Sequence, residues 1–159
     1  MKSNPVPSFI RTATTDDIPA MVELIRLLFS IEADFAIDEA KQRRGLELLI
    51  STPSHACVLV AVTGDLVIGM CTGQIVISTA EGAPSVWVED VVVAEAYRSQ
   101  GVATKLLAHL EAWAKSQGAT RLQLLTELEN TSALKFYHRQ SWLRTHLIAL
   151  RKLIGGSAP

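Results

Sequence analysis

Two cysteines in 159 residues are too few for a disulfide framework or a cysteine-built zinc site. Cys57 and Cys71 both lie in apolar stretches, where a thiol behaves as a small hydrophobe. Excess charge of either sign is also missing, since fifteen Lys and Arg face sixteen Asp and Glu for a formal net charge of −1. Such a balance leaves no electrostatic footprint for nucleic acid or an anionic membrane. No apolar run approaches the ~20 residues that cross a bilayer, and the opening MKSNPVPSF lacks the apolar centre of a secretory signal. His55, His109, His138 and His146 show no metal-ligand spacing. The expectation is a soluble cytoplasmic protein with no metal, no nucleic-acid partner and no membrane partner. What is present is apolar mass. At 48% hydrophobic and 19% charged the chain can bury a sizeable core, which excludes long disorder. The length favours one domain over 1–159, with the GGSAP tail at 155–159 frayed.

Residues 8–13 read as a short strand. Thr14, Thr15, Asp16 and Asp17 offer N-cap side chains, and Pro19 suits a first helical turn. Ile18, Met21, Val22, Ile25, Leu28 and Phe29 then repeat at helical spacing. A weaker helix is expected from about Asp38 to Ile50, stopping before Pro53, with an irregular acidic segment at 31–35 between the two. From Ala56 the pattern turns to strand. Residues 57–62, 66–78 and 85–93 are rich in Val and Ile, and good turn sequences (Thr63-Gly64-Asp65 and Glu81-Gly82-Ala83-Pro84) separate them. They predict an antiparallel meander.

Val102, Ala103, Leu106, Leu107, Leu110, Trp113 and Ala114 share one face of a further helix, which Gly118 stops. A strand at 121–126 completes a βαβ unit with 88–93. A short helix at 130–139 and a closing strand at 142–153 follow. The fold class expected is α/β, one domain with a mixed sheet.

The stretch from Val91 to Leu107 carries the most chemistry. An apolar strand enters a glycine-containing loop, Arg98-Ser99-Gln100-Gly101-Val102-Ala103, that opens directly onto a helix. Unbonded N–H groups at a helix start and the positive end of its dipole form an anion site. Gly101 allows close approach of the main chain, small Ala103 leaves the first turn uncovered, and Arg98 and Lys105 bring positive charge. The loop is neither a Walker loop nor a three-glycine dinucleotide fingerprint. Taken alone, it also fits an ordinary glycine turn beside a solvated arginine.

Arg98-Ser-Gln-Gly-Val-Ala103 resembles the Arg/Gln-x-x-Gly-x-Gly/Ala pyrophosphate loop of the GNAT superfamily of acetyl-CoA-dependent N-acetyltransferases. A second element of that family follows as Asn130-Thr-Ser-Ala133-Leu-Lys-Phe136-Tyr137. The order β-α-α-β-β-β-α-β-α-β agrees as well. The resemblance implies a mostly antiparallel sheet flanked by helices and splayed between its fourth and fifth strands, with acetyl-CoA as co-substrate. It implies that the main chain of Gln100, Gly101, Val102, Ala103 and Thr104 holds the pyrophosphate beside Arg98. Val93 would then meet the pantetheine arm through its main chain and Asn130 through its side chain. Many members carry Gly where this chain has Ala103.

Acetyl transfer to an amine poses two proton problems. An alkyl amine of pKa ~10.4 is only about one part in a thousand neutral near pH 7.4, and only the neutral form attacks. The departing thiolate also gains from a proton, so a base near the amine and an acid near the sulfur are needed. The family places a tyrosine beside the coenzyme sulfur, which makes Tyr137 the acid candidate and leaves Phe136 to the core. Glu89 and Asp90 are consecutive carboxylates in an otherwise apolar strand. Alternation sends them to opposite faces unless a bulge intervenes, and a buried carboxylate needs a partner or water.

This pair resembles the strand of spermidine/spermine and thialysine N-acetyltransferases. The likeness gives Glu89 the role of water-assisted base and Asp90 an acceptor-orienting one, the alternative for Asp90 being a structural ion pair. Glu32 resembles an acceptor-wall glutamate of the same enzymes, or belongs to a solvated acidic loop. Trp87 either lines the cleft or simply packs. The reading is an N-acetyltransferase acting on the primary amine of a small, polyamine-like or amino-acid-like acceptor. A peptide N-acetyltransferase and a non-catalytic acyl-CoA sensor are the alternatives. A homodimer is plausible through the apolar closing strand.

Overall fold

The computed structural model describes residues 7–32 and 34–154. The frayed-tail expectation for 155–159 lies outside them. The chain forms two compact units, one ending at Leu124 and the other beginning at Leu125.

The first unit is built on a five-stranded sheet. Its strands are β1 (Phe9–Thr12), β2 (Ala56–Thr63), β3 (Leu66–Ser78), β4 (Ala83–Val93) and β5 (Arg121–Leu124), in that spatial order. The first three pairings are antiparallel, and β4 and β5 run parallel. A tight turn can join only antiparallel strands, so the parallel pair needs a crossover. Helix α3 (Val102–Ser116) supplies it. β5 pairs only with Ser85–Val88, so the last five residues of β4 have no neighbour on that side. This is the splay that the family resemblance implies.

β2 is apolar and buried along nearly its whole length because both faces of the sheet are covered. On one face, α1 (Ile18–Phe29) and Leu46 of α2 (Glu39–Ser51) pack against Val58, Val60, Val62, Met70 and Val92. On the other, α3 lies so close that a Cβ added to Gly73 would stand 2.8 Å from Leu110. Both early helices start where expected. Pro19 sits in the first turn of α1, and the Asp38 side chain accepts from Lys41 N–H at 3.2 Å to cap α2. The approach to α1 is tied down by a bidentate ion pair, with Arg11 donating to the nearly buried Asp17 at 2.7 and 2.8 Å. Thr14 donates to the same carboxylate, and these bonds hold it below the usual carboxylate range. Among the described residues, no helix is long and apolar enough to cross a membrane.

The second unit holds α4 (Thr131–Arg139), capped by Asn130, whose Oδ1 accepts from Ala133 N–H at 3.0 Å. The expected closing strand at 142–153 is not formed. These residues join no sheet, and Leu143, Leu147, Ile148 and Leu150 are exposed. An apolar segment records only a capacity for strand, because a strand is made by its ladder partner.

Candidate active site

β4 carries a bulge that decides where its carboxylates go. Thr72 of β3 pairs with Glu89 and Met70 with Val92, so Cys71 alone opposes two residues, Asp90 and Val91. Asp90 absorbs the extra residue with φ +52°, in the left-handed region that Asp tolerates better than most side chains. The parity of the strand flips there. Before the bulge, Val86 faces α3, since it touches the same space as Leu110. After it, Val92 joins the opposite core beneath α1 and Val93 faces α3. Glu89 and Asp90 therefore both open onto the α1–α2 side, where unbroken alternation would have separated them.

The cleft they line has a volume of about 470 Å³. Ile25 and Phe29 of α1 and Leu46 and Leu49 of α2 form its apolar wall, and Gln42 and Gln74 contribute neutral polar groups. Glu89 is exposed to solvent and accepts from the Trp87 indole N–H at 3.0 Å. Trp87 thus orients a carboxylate and is not itself part of the lining. Asp90 is set deeper and accepts from Thr72 Oγ1 at 3.2 Å. Burial, with repulsion from Glu89 and Glu32, pushes its carboxyl up to about 6, against the opposing effect of the Thr72 bond. The same repulsion shows that Glu32 lies within electrostatic reach of the cleft. The backbone of its neighbour Ala33, in the segment read as the acceptor wall, lies outside the described residues.

Past Val93 the chain makes a short 3-10 turn at Glu95–Tyr97 and enters α3 through Gly101. Two residues of this entry are left-handed, Ser99 (φ +60°) and Gly101 (φ +81°). Among the described residues, no atom beyond its chain neighbours would lie within 4 Å of a Cβ at Gly101, so its requirement for glycine there is conformational. Among the described residues, no side chain caps the helix. An uncapped start reached through left-handed residues is the concave N–H arrangement that receives anions, and the residues present fit a diphosphate.

The expected mobile cations are in fact tethered. Arg98 Nε donates to the Val93 carbonyl at 3.1 Å, and Lys105 Nζ donates to Ser8 at 3.2 and 3.3 Å. Gln100 donates to the Ala96 carbonyl at 3.0 Å. The loop is therefore braced by its own side chains. In the second unit, Tyr137 is half-buried between Phe136 and Trp142, with ring centroids 5.2 and 5.5 Å away.

A model of the acetyltransferase (GNAT) family matches residues 19–142, through both compact units. The chain belongs to the GNAT acetyltransferase family. Among curated proteins, this GNAT chain is 29% identical over 80 residues to an aminoglycoside N(6')-acetyltransferase type 1 of Serratia marcescens. That match covers 50% of the chain and 55% of the relative, so it spans about half the length of each. The protein of the same description from Salmonella typhimurium is 25% identical over 114 residues, which are 70% of this chain and 77% of that one. A solved aminoglycoside acetyltransferase from an uncultured soil metagenomic sample superposes with a TM-score of 0.74 at 19% identity, covering 92% of this chain and 96% of that one. At that identity the likeness concerns the GNAT fold alone.

Sequence reasoning missed Thr72 and the helical wall of the cleft. The available signal was a threonine within a mostly apolar strand; the structure buries it fully, and a buried hydroxyl requires a hydrogen-bond partner. The Cys71 thiol points to the α3 side of the sheet, 3.9 Å from the Leu106 carbonyl, although its backbone opposes Asp90. Burial pushes Cys57 up to about 11 and raises Cys71 further, which leaves both protonated near neutral pH.

Proposed function

We propose that the protein is an acetyl-CoA-dependent N-acetyltransferase acting on the primary amine of a small acceptor, in the polyamine-like or amino-acid-like size range. The observation that carries this reading is the layout of β4. Within about a dozen residues it leads from two cleft carboxylates to a helix start shaped for a diphosphate. In this assignment the main chain of Gln100 to Thr104 receives the pyrophosphate, braced by Arg98. Val93 and the Asn130 amide meet the pantetheine arm, with Asn130 Oδ1 already used in capping α4.

When bound, acetyl-CoA supplies the activated acetyl group. Glu89, held by Trp87, takes the proton of the incoming ammonium directly or through water. Acetyl transfer would make the amide C–N bond as the thioester C–S bond breaks; the Tyr137 hydroxyl would give its proton to the departing sulfur, and the second proton shed by the nitrogen would return to the Tyr137 oxygen. Asp90 and Glu32 add negative potential that attracts and orients a cationic acceptor. Support for a small-molecule acceptor comes from the relatives named as aminoglycoside acetyltransferases. Two free thiols suit a reducing, cytoplasmic setting.

Release of coenzyme A thiol in the presence of an amine panel tests the reading. Tyr137→Phe lowers kcat at least about tenfold while coenzyme A affinity changes little. Unchanged turnover removes the acid assignment. Turnover of peptides alone would give the acceptor site to a protein, and binding without turnover would leave only a sensor.

A further inference from the structure

We infer that the acceptor is an arylalkyl or alkyl primary amine without a carboxylate, seated in the cleft between α1, α2 and the bulged half of β4. The inference rests on the acetyltransferase reading and narrows its acceptor.

Charge placement gives the first argument. Among the described residues, the ionisable groups lining the cleft are Glu89 and Asp90, both on β4. A single ammonium beside them is paired. A carboxylate on the same acceptor would meet no lining Lys, Arg or His and would be repelled by two acids, which disfavours free amino acids. The facing wall gives the second. Ile25, Phe29, Leu46 and Leu49 offer no partner to further ammonium or hydroxyl groups, which leaves only Gln42, Thr52 and Gln74 beside the two acids to meet them, and any such group left unmet is costly to desolvate. A polyamine or an aminoglycoside carries several of them. An aliphatic or aromatic body instead gains by burial there, beside Phe29, whose ring stacks on Phe35 with centroids 5.1 Å apart.

Gly45 gives the third argument. It lies well inside α2, where glycine is less favourable than alanine by about 1 kcal/mol. Yet it lines the cleft, and among the described residues no atom outside its chain neighbours and the adjoining helix backbone would lie within 4 Å of a Cβ placed on it. No close packing and no positive φ require glycine at this position. What the missing side chain provides is room in the cleft.

The test compares kcat/KM by thiol release for ethylamine, phenethylamine, phenylalanine, phenylalanine amide, spermidine and sisomicin, with the full-length wild type and Gly45→Leu. Phenethylamine is expected to exceed spermidine and sisomicin by at least about tenfold, and phenylalanine amide to exceed phenylalanine by about a hundredfold. Gly45→Leu, which adds volume without backbone strain, should cut phenethylamine about tenfold more than it cuts ethylamine. Spermidine or sisomicin as the best acceptor overturns the inference and leaves the acetyltransferase reading intact. Equal use of phenylalanine and its amide, or equal loss of both amines in Gly45→Leu, overturns it as well. Absence of turnover with every amine, together with absence of coenzyme A binding by calorimetry, overturns both readings.

Discussion

The bulge at residue 90 and the loop at residue 101 lie eleven positions apart and use the same backbone conformation for opposite electrostatic ends. Asp90 (φ +52°) turns a second carboxylate into a cleft that already holds Glu89. Gly101 (φ +81°) opens a helix start that favours negative charge. At Gly101 the left-handed turn meets no steric cost, because there is no Cβ. At Asp90 it costs on the order of 1 kcal/mol for the backbone, and burial of the carboxyl adds to this. The comparison teaches that a strained, desolvated acid is held by its surroundings, here the β3 ladder and Thr72, whereas the anion loop can be set by its own residues. Strain of that kind collects at functional positions.

The largest expected effect is on chemistry at the acidic end. Glu89→Gln should lower kcat/KM about a hundredfold at neutral pH, and the deficit should shrink as pH rises toward the amine pKa, because more acceptor is then already neutral. A constant deficit from pH 7 to 10 would deny Glu89 the base role. At the anion end, Gly101→Val forces a β-branched side chain into a left-handed position. It should weaken coenzyme A by about thirty- to a hundredfold in calorimetry, corresponding to about 2–3 kcal/mol. Intact affinity would break the contrast between the two turns.

Stability sharpens the same comparison. A carboxyl whose folded pKa is raised from 3.8 to about 6 binds its proton more tightly folded than unfolded, so stability falls as pH rises between those values. The cost is fully present above pH 6 and absent below pH 4. Asp90→Asn, which keeps a Thr72 acceptor and tolerates positive φ, should stabilise above pH 6 by up to about 3 kcal/mol and merge with wild type near pH 4. Thermal melts across that range decide the matter, and a variant that is less stable at pH 8 would refute a raised pKa. The smallest effect is expected at Ser99, a non-glycine residue at φ +60°. Ser99→Gly should change stability by less than about 1 kcal/mol, in the stabilising direction, with coenzyme A affinity retained. Affinity lost there would mean that the serine side chain itself takes part in the site.

Most of the fold was legible because it is written in short-range patterns. The 3.6-residue spacing of α1 and α3, the Val-rich meander and its glycine turns each depend on neighbours a few positions away. The closing strand failed for the same reason in reverse, since residues 142–153 have the pattern of a strand but no ladder. Within the site, Glu89, Asp90 and the loop at 98–104 could be singled out as residues, and Gly101 as a point of close main-chain approach. The face on which Asp90 lies could not be read, because one extra residue in β4 is counted only against its partner strand.

The chain by itself therefore determined an apolar α/β fold, a helix start suited to an anion, and two acids placed next to each other in a strand. Only the tertiary structure decided that both acids share one cleft, that Thr72 and Trp87 hold them, and that apolar helices face them. The reason is physical. Helix periodicity and glycine turns are local properties of the backbone, whereas register, burial and the pKa of a carboxyl arise from segments that are distant in sequence and meet only in the fold.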